Sequence, residues 1–184
     1  MLTIDLQPFP VLTTGRLQLR QITPGDVNDF YFLRSDETVM KYIDIPKLAS
    51  LEAAEALIQK LNNLHDNNEG ITWGITLKGE DKLIGTILFK SIQKEHHRAE
   101  VGYLLHPDHW RKGIIQEALT AVLDYGFRVL QFHSIEALVN PDNIASISML
   151  EKNKFVREAF YKENYYFDGK FLDTAVYSLL RSAI

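Results

Sequence analysis

The stretch from Leu104 to Leu119 reads LLHPDHWRKGIIQEAL. An apolar run ends, a short loop carrying Arg111 and Lys112 follows, and a helical pattern begins at Gly113. The first backbone N–H groups of a helix have no partner inside it and point outward, where the helix dipole favours an anion. A glycine at such a turn lets a pyrophosphate approach the backbone, and the two cations add positive charge. An ordinary helix start with basic surface residues has the same appearance, because short glycine motifs match by chance often. Neither G-x-x-x-x-G-K-[ST] nor G-x-G-x-x-G occurs, so the P-loop and dinucleotide forms of phosphate site are set aside.

Other residues with chemistry lie nearby. Glu100 sits inside a predicted strand, where a carboxylate is unusual, and a pairing with Arg98 or Lys90 would account for it structurally. Alternation puts Glu100, Gly102 and Leu104 on one face and Ala99, Val101 and Tyr103 on the other. Asn143, Ser146 and Leu150 are spaced to share one helical face. Capping preference alone also explains Asn143 and Ser146. Tyr103, Tyr161, Tyr165 and Tyr166 fit a site wall or ordinary strand aromatics. His96 and His97 are expected on opposite faces of a strand, and His106 and His109 in a loop. No further ligand pattern surrounds them, and no metal is expected. The chain has no cysteine, which excludes disulfides, thiolate metal sites and a cysteine nucleophile.

The elements that must hold these residues follow from periodicity and caps. Arg16 to Ile22 alternates as a strand, and Thr23-Pro24 starts a helix to about Ser35. A short helix over Glu37 to Tyr42 and a clearer one from Leu51 to about Leu64, capped by Ser50, come next. Ile71 to Leu77, Leu83 to Phe89 and Ala99 to Leu105 read as strands in an antiparallel meander, the first two joined by a turn at Lys78 to Asp81. A helix from Gly113 to about Leu130 precedes a strand at Ser134 to Val139, an arrangement that suggests a parallel crossover. Asp142 or Asn143 caps a helix to about Asn153. Phe155 to Lys162 and Leu172 to Leu180 are closing strands around an Asp168-Gly169 turn. The fold class is mixed α/β, in one domain over residues 1–184.

Composition narrows the class further. A formal net charge of −4 in 184 residues carries no basic stripe, so a nucleic-acid partner is not expected. No apolar run reaches the length of a membrane span, and Met1 to Pro10 has no basic n-region, so a cytoplasmic protein is expected.

The run Glu100-Val101-Gly102-Tyr103, Pro107 and Trp110 to Leu119 resembles the acetyl-CoA-binding motif of the GNAT acetyltransferases, in the RimJ/RimL-like subgroup. Thr14 to Arg20 resembles that subgroup's opening T-E-R-L-x-L-R. Asn143-Ile144-Ala145-Ser146 with Leu150 to Phe155 resembles its N-x-x-S…L-E-K-x-G-F, and Gly169, Asp173 and Val176 to Leu179 resemble its closing strand. The resemblance covers about Leu12 to Arg181. It implies a mostly antiparallel sheet splayed between its fourth and fifth strands, helices on both faces, and CoA in the gap. Trp110 and Ile115 depart from the family's [QR]-x-x-G-x-[GA], Lys154 stands where glycine is common, and Leu150 replaces a tyrosine that often serves as acid.

The resemblance implies transfer of acetyl from acetyl-CoA to a primary amine, which must be deprotonated to attack. Arg111, Lys112, Gly113, Ile114, Ile115 and Gln116 would bind the cofactor, with Leu104 and Leu105 offering a backbone donor to the thioester carbonyl. Asn143 and Ser146 would meet CoA near the thiol. Glu100 is the candidate base, acting through water, and Ser146 the candidate donor to the leaving thiol. The expected acceptor is the α-amine of a peptide N-terminus, with loops at Asp44 to Ser50 and Tyr161 to Lys170 around it. A small-molecule amine (polyamine or antibiotic) and a non-catalytic CoA-binding module are the alternatives. The expected assembly is a monomer or a homodimer.

Overall fold

The computed structural model describes residues 2–183. β1 (Leu12–Thr13) and β2 (Leu17–Gln21) open the sheet, and a 3₁₀ turn at Pro24–Asp26 leads into α1 (Val27–Ser35). Asp26 anchors that turn, accepting from the Thr23 backbone at 2.7 Å and from both Arg20 terminal nitrogens. α2 (Glu37–Met40) and α3 (Leu51–Asp66) each start where a side chain takes orphan N–H groups: Asp36 accepts from Thr38 and Val39, Ser50 from Ala53.

β3 (Ile71–Leu77), β4 (Gly85–Gln93) and β5 (Arg98–Leu105) form the expected antiparallel meander. α4 (Ile114–Arg128) crosses back to β6 (Ser134–Val139), which runs parallel to β5. α5 (Ile144–Lys152) precedes β7 (Val156–Phe167) and β8 (Lys170–Leu180). The sheet has eight strands in the order β1-β2-β3-β4-β5-β6-β8-β7. The last strand therefore inserts between β6 and β7.

Strand alternation separates two apolar layers. Ile71, Trp73 and Ile75 of β3 face a core shared with Ala118, Leu119 and Val122 of α4 and Leu150 of α5. Gly74 points the other way, where an added Cβ would meet Leu83 at 2.6 Å and Ile22 at 3.2 Å. Those residues belong to the second layer, with Phe30 and Leu33 of α1 and Ala54 and Ile58 of α3. Helices thus cover both faces, as expected. No helix among the described residues is long and apolar enough to cross a membrane.

The critical irregularity is at the centre. β5 pairs with β6 only over Arg98–Glu100, and from Val101 onward the two strands separate. This is the splay expected between the fourth and fifth strands, which are β5 and β6 once β1 is counted. A β-bulge at Lys90/Gln93 distorts β4 beside the same point.

Several expectations need correction. His96 and His97 lie in the turn between β4 and β5, not in a strand, and His97 has φ 50°. The acceptor segment Tyr161 to Lys170 is mostly hairpin rather than loop, because β7 continues to Phe167 and only Asp168-Gly169 turns. Of the two possible caps for α5, Asn143 is used, accepting from the Ser146 N–H at 3.1 Å.

Candidate active site

The loop after β5 is built to present backbone. Trp110 donates its indole N–H to the Leu105 carbonyl at 2.8 Å, which folds the loop back on the strand end. Gly113 then takes φ 73° as the residue before α4, a conformation that costs other residues about 1–2 kcal/mol. The first intramolecular bond of the turn is Glu117 N–H to Gly113 O, at 3.1 Å. The backbone N–H groups of Arg111, Lys112, Gly113, Ile114, Ile115 and Gln116 have no acceptor among the described residues. A contiguous row of free donors at a helix head, beside the open edge of β5, suits a polyanion.

The side chains of this stretch do other work. Ile114 is buried in the core, and Ile115 packs against it. Gln116 exchanges two amide hydrogen bonds with Asn153, at 2.6 and 2.9 Å, and so ties the head of α4 to the end of α5. Ile114, Ile115 and Gln116 are thus left to meet an anion through their backbone N–H groups.

Arg16 is a positioning residue that its place in the opening motif did not disclose. Its Nε meets Glu117 Oε2 at 2.7 Å and its Nη1 donates to the Lys112 carbonyl at 2.9 Å. Thr14 Oγ1 and the Arg16 backbone N–H complete the shell around Glu117. Burial alone would raise the Glu117 carboxyl, but the bonds from Thr14 and Arg16 outweigh it and hold the carboxyl down at about 2.

The splay itself forms a cleft lined by Val101, Gly102 and Tyr103 on one side and Ala137 to Asn140 on the other. Tyr42 and Ile43 close one end, and Asn143 and Ser146 of the α5 head project into it. The Tyr103 hydroxyl and Ser146 Oγ are 2.6 Å apart. Burial pushes the Tyr103 phenol up to about 12, against a smaller opposite effect of Ser146. This pair of neutral hydroxyls can pass a proton while carrying no charge.

The structure brings Asn143, Ser146 and Tyr103 together, with the edge of β5 up to Leu104 and Leu105 unpaired on the β6 side. It does not bring Glu100 to them. Glu100 is the last β5 residue paired with β6, at the root of the splay, and its side chain leaves on the face opposite Tyr103. Its Oε1 lies 3.0 Å from Lys90 Nζ, and Glu136 is its cross-strand neighbour. Burial raises the Glu100 carboxyl, Lys90 lowers it in part, and Glu136 raises it again. Among the described residues no cluster of three or more His, Cys, Asp or Glu side chains is arranged to hold a metal ion.

Beside the cleft residue Asn140, Asp44 accepts from the Tyr165 hydroxyl and from Asn140 Nδ2, the latter at 3.4 Å. Burial and Asp44 together raise the Tyr165 phenol above its usual range.

Comparison with known proteins agrees with this geometry. The family model for the acetyltransferase (GNAT) domain matches residues 16–156. An uncharacterized N-acetyltransferase of Bacillus subtilis (strain 168), YoaA, is 39% identical over 173 residues, covering 94% of this chain and 98% of its own. The spermidine N(1)-acetyltransferase of Vibrio cholerae is 27% identical over 168 residues, covering 91% of this chain and 95% of its own. The crystal structure of the ribosomal-protein-S5-alanine acetyltransferase of Vibrio fischeri superposes with a TM-score of 0.83 at 26% identity, over 94% of this chain and 97% of that one. Enzymes of this family draw on acetyl-CoA. A splayed sheet, a donor-lined helix head and matches along nearly the whole chain place this protein in the GNAT family, as an N-acetyltransferase.

Proposed function

We propose that the chain transfers the acetyl group of acetyl-CoA directly to a primary amine, preferentially the α-amine of a peptide or protein N-terminus. The observation that carries the first half is the row of unpaired backbone N–H groups from Arg111 to Gln116 beside the open edge of β5. These donors hold the pyrophosphate, helped by the charges of Arg111 and Lys112. Bound acetyl-CoA supplies an acetyl group already activated as a thioester. The backbone at Leu104 and Leu105 offers the donor for the thioester carbonyl. Asn143 fixes the head of α5, and Ser146, paired with Tyr103, donates toward the leaving sulfur.

Glu100 takes the amine proton through water from the root of the splay. Its raised pKa supports that role, because a carboxyl brought nearer the working pH both accepts and releases a proton more readily. A peptide α-amine has a pKa of about 7.7–8.0 against about 10.4 for lysine, so a base placed this indirectly serves an α-amine far better. The Vibrio fischeri enzyme, named for a ribosomal-protein alanine, points to the same acceptor class. The Vibrio cholerae relative, named for spermidine, supports a second reading in which the acceptor is a free polyamine.

One experiment separates them: acetyl-CoA is supplied with N-terminal peptides, free polyamines and aminoglycosides, and mass spectrometry locates the acetyl group. Label on peptide α-amines is expected. Label confined to lysine side chains overturns the α-amine reading, and label confined to polyamines selects the second one.

A further inference from the structure

Asp44 follows Tyr42 and Ile43, which line the cleft, in the segment between α2 and α3. Its carboxylate is held by two neutral donors from two other elements. One is the hydroxyl of Tyr165 on β7, and the other is the amide of Asn140 at the end of β6, itself a cleft residue. No cation pairs with it among the described residues. The two lysines of its own segment are committed elsewhere: Lys41 Nζ lies 4.9 Å from the centroid of the Tyr42 ring, and Lys47 Nζ meets Glu37 at 3.0 Å. A half-buried carboxylate with only neutral partners, set beside the cleft residues Tyr42, Ile43 and Asn140, is placed to make charge-assisted bonds, which are about twice as strong as neutral ones.

This charge does not suit the reacting amine, since a carboxylate beside it would favour the protonated, unreactive form. It suits a second cation on the same acceptor. We propose that Asp44 anchors a second positive charge of the acceptor, carried by an ammonium or guanidinium away from the reacting nitrogen, and that the Tyr165 hydroxyl occupies this anchor until the acceptor displaces it. The proposal rests on the reading of the splay as the amine cleft, and it narrows the acceptor to amines bearing at least one further cationic group. A peptide N-terminus with a nearby lysine or arginine and a linear polyamine both qualify.

The test uses two amines matched in length, 1,5-diaminopentane and pentylamine, titrated calorimetrically into the full chain preloaded with CoA. The diamine is expected to bind about tenfold tighter. Asp44→Asn should remove that difference while leaving CoA affinity intact. Tyr165→Phe should widen it, because the competing hydroxyl is gone. A purely structural latch would make both variants weaken binding alike, so the opposite directions keep the result decisive even if one variant loses stability. Equal binding of the two amines by the wild-type chain, or a difference that survives in Asp44→Asn, overturns the proposal. Acetyl transfer to either amine is followed separately. Its absence would remove the acetyl-transfer reading while the binding difference still decides the role of Asp44.

Discussion

Glu100 and Ser146 leave β5 and α5 toward different faces of the sheet, so their substitution should separate two kinds of loss. Glu100→Gln keeps the shape but removes the base. It should lower kcat/KM by about 10²-fold, the low end for a general base, because an α-amine is already partly deprotonated at neutral pH. The part of the rising limb that belongs to Glu100 should be lost with it, leaving the rise set by the α-amine's own pKa of about 7.7–8.0. Lys90 lowers the Glu100 carboxyl, so Lys90→Met should let that carboxyl rise and move the limb to higher pH. Ser146→Ala should lower kcat less, since water or the Tyr103 hydroxyl can replace the donor. The pH dependence of kcat/KM with one acceptor peptide checks all three variants. A wild-type profile in Glu100→Gln would leave positioning as the whole mechanism.

Among the elements, α4 shows how closely helix and sheet must fit. A Cβ at Gly126 would lie 2.8 Å from Phe89 Cζ and 3.0 Å from Ile135 Cδ1, both in the core beneath the helix. Alanine gains up to about 1 kcal/mol in helix propensity, while overpacking costs about 1–3 kcal/mol. Gly126→Ala should therefore destabilise by about 1 kcal/mol, a fall in Tm of about 2–4 °C for a chain of this length. Thermal unfolding measures it, and a raised Tm would mean that the Phe89 ring moves aside freely.

Local pattern made α3, α4 and the strands β3 to β6 legible, because each has a full period of apolar residues or a capping side chain. The alternation of β5 was legible too: Val101 faces the α4 layer, while Leu104 packs toward α1 and α3. β1 is too short to show any period. The insertion of β8 beside β6 rests on pairing between distant segments, which no local signal carries. The glycine turn was readable, but the partners of its side chains were not. The Gln116–Asn153 exchange and the Tyr103–Ser146 contact each join residues about forty positions apart. Asp44 drew notice only as the start of a loop, since its partners Asn140 and Tyr165 come from the far end of the chain.

At the scale of the whole molecule, Glu117 fastens the opening strands to the helix that heads the site. Its carboxyl is held near 2, below the ordinary value of 4.5. A depressed carboxyl stabilises the fold above its unfolded pKa and loses that contribution as pH falls through the folded one. The loss should therefore run from about pH 4.5 down to about pH 2, and solvent screening should hold it to about 1 kcal/mol. Glu117→Gln should flatten the acid limb in this window. Urea midpoints from pH 5 to pH 2 for both proteins check it, and parallel curves would assign the acid sensitivity to other groups.

Strand order also has a consequence for synthesis. Each strand from β2 to β5 pairs with its predecessor in the chain, so the first five strands can assemble as they leave the ribosome. β6 is different, for it meets β5 over Arg98–Glu100 alone and takes its long partner from β8, the eighth strand in chain order. A nascent chain halted after α5 already carries the turn at Gly113, yet the wall from Ala137 to Asn140 still lacks the strand that pairs with it over Ala137 to Val139. Both jaws of the cleft become firm only once β8 has emerged and paired with β6, so the working shape waits on a segment made well after the Gly113 turn.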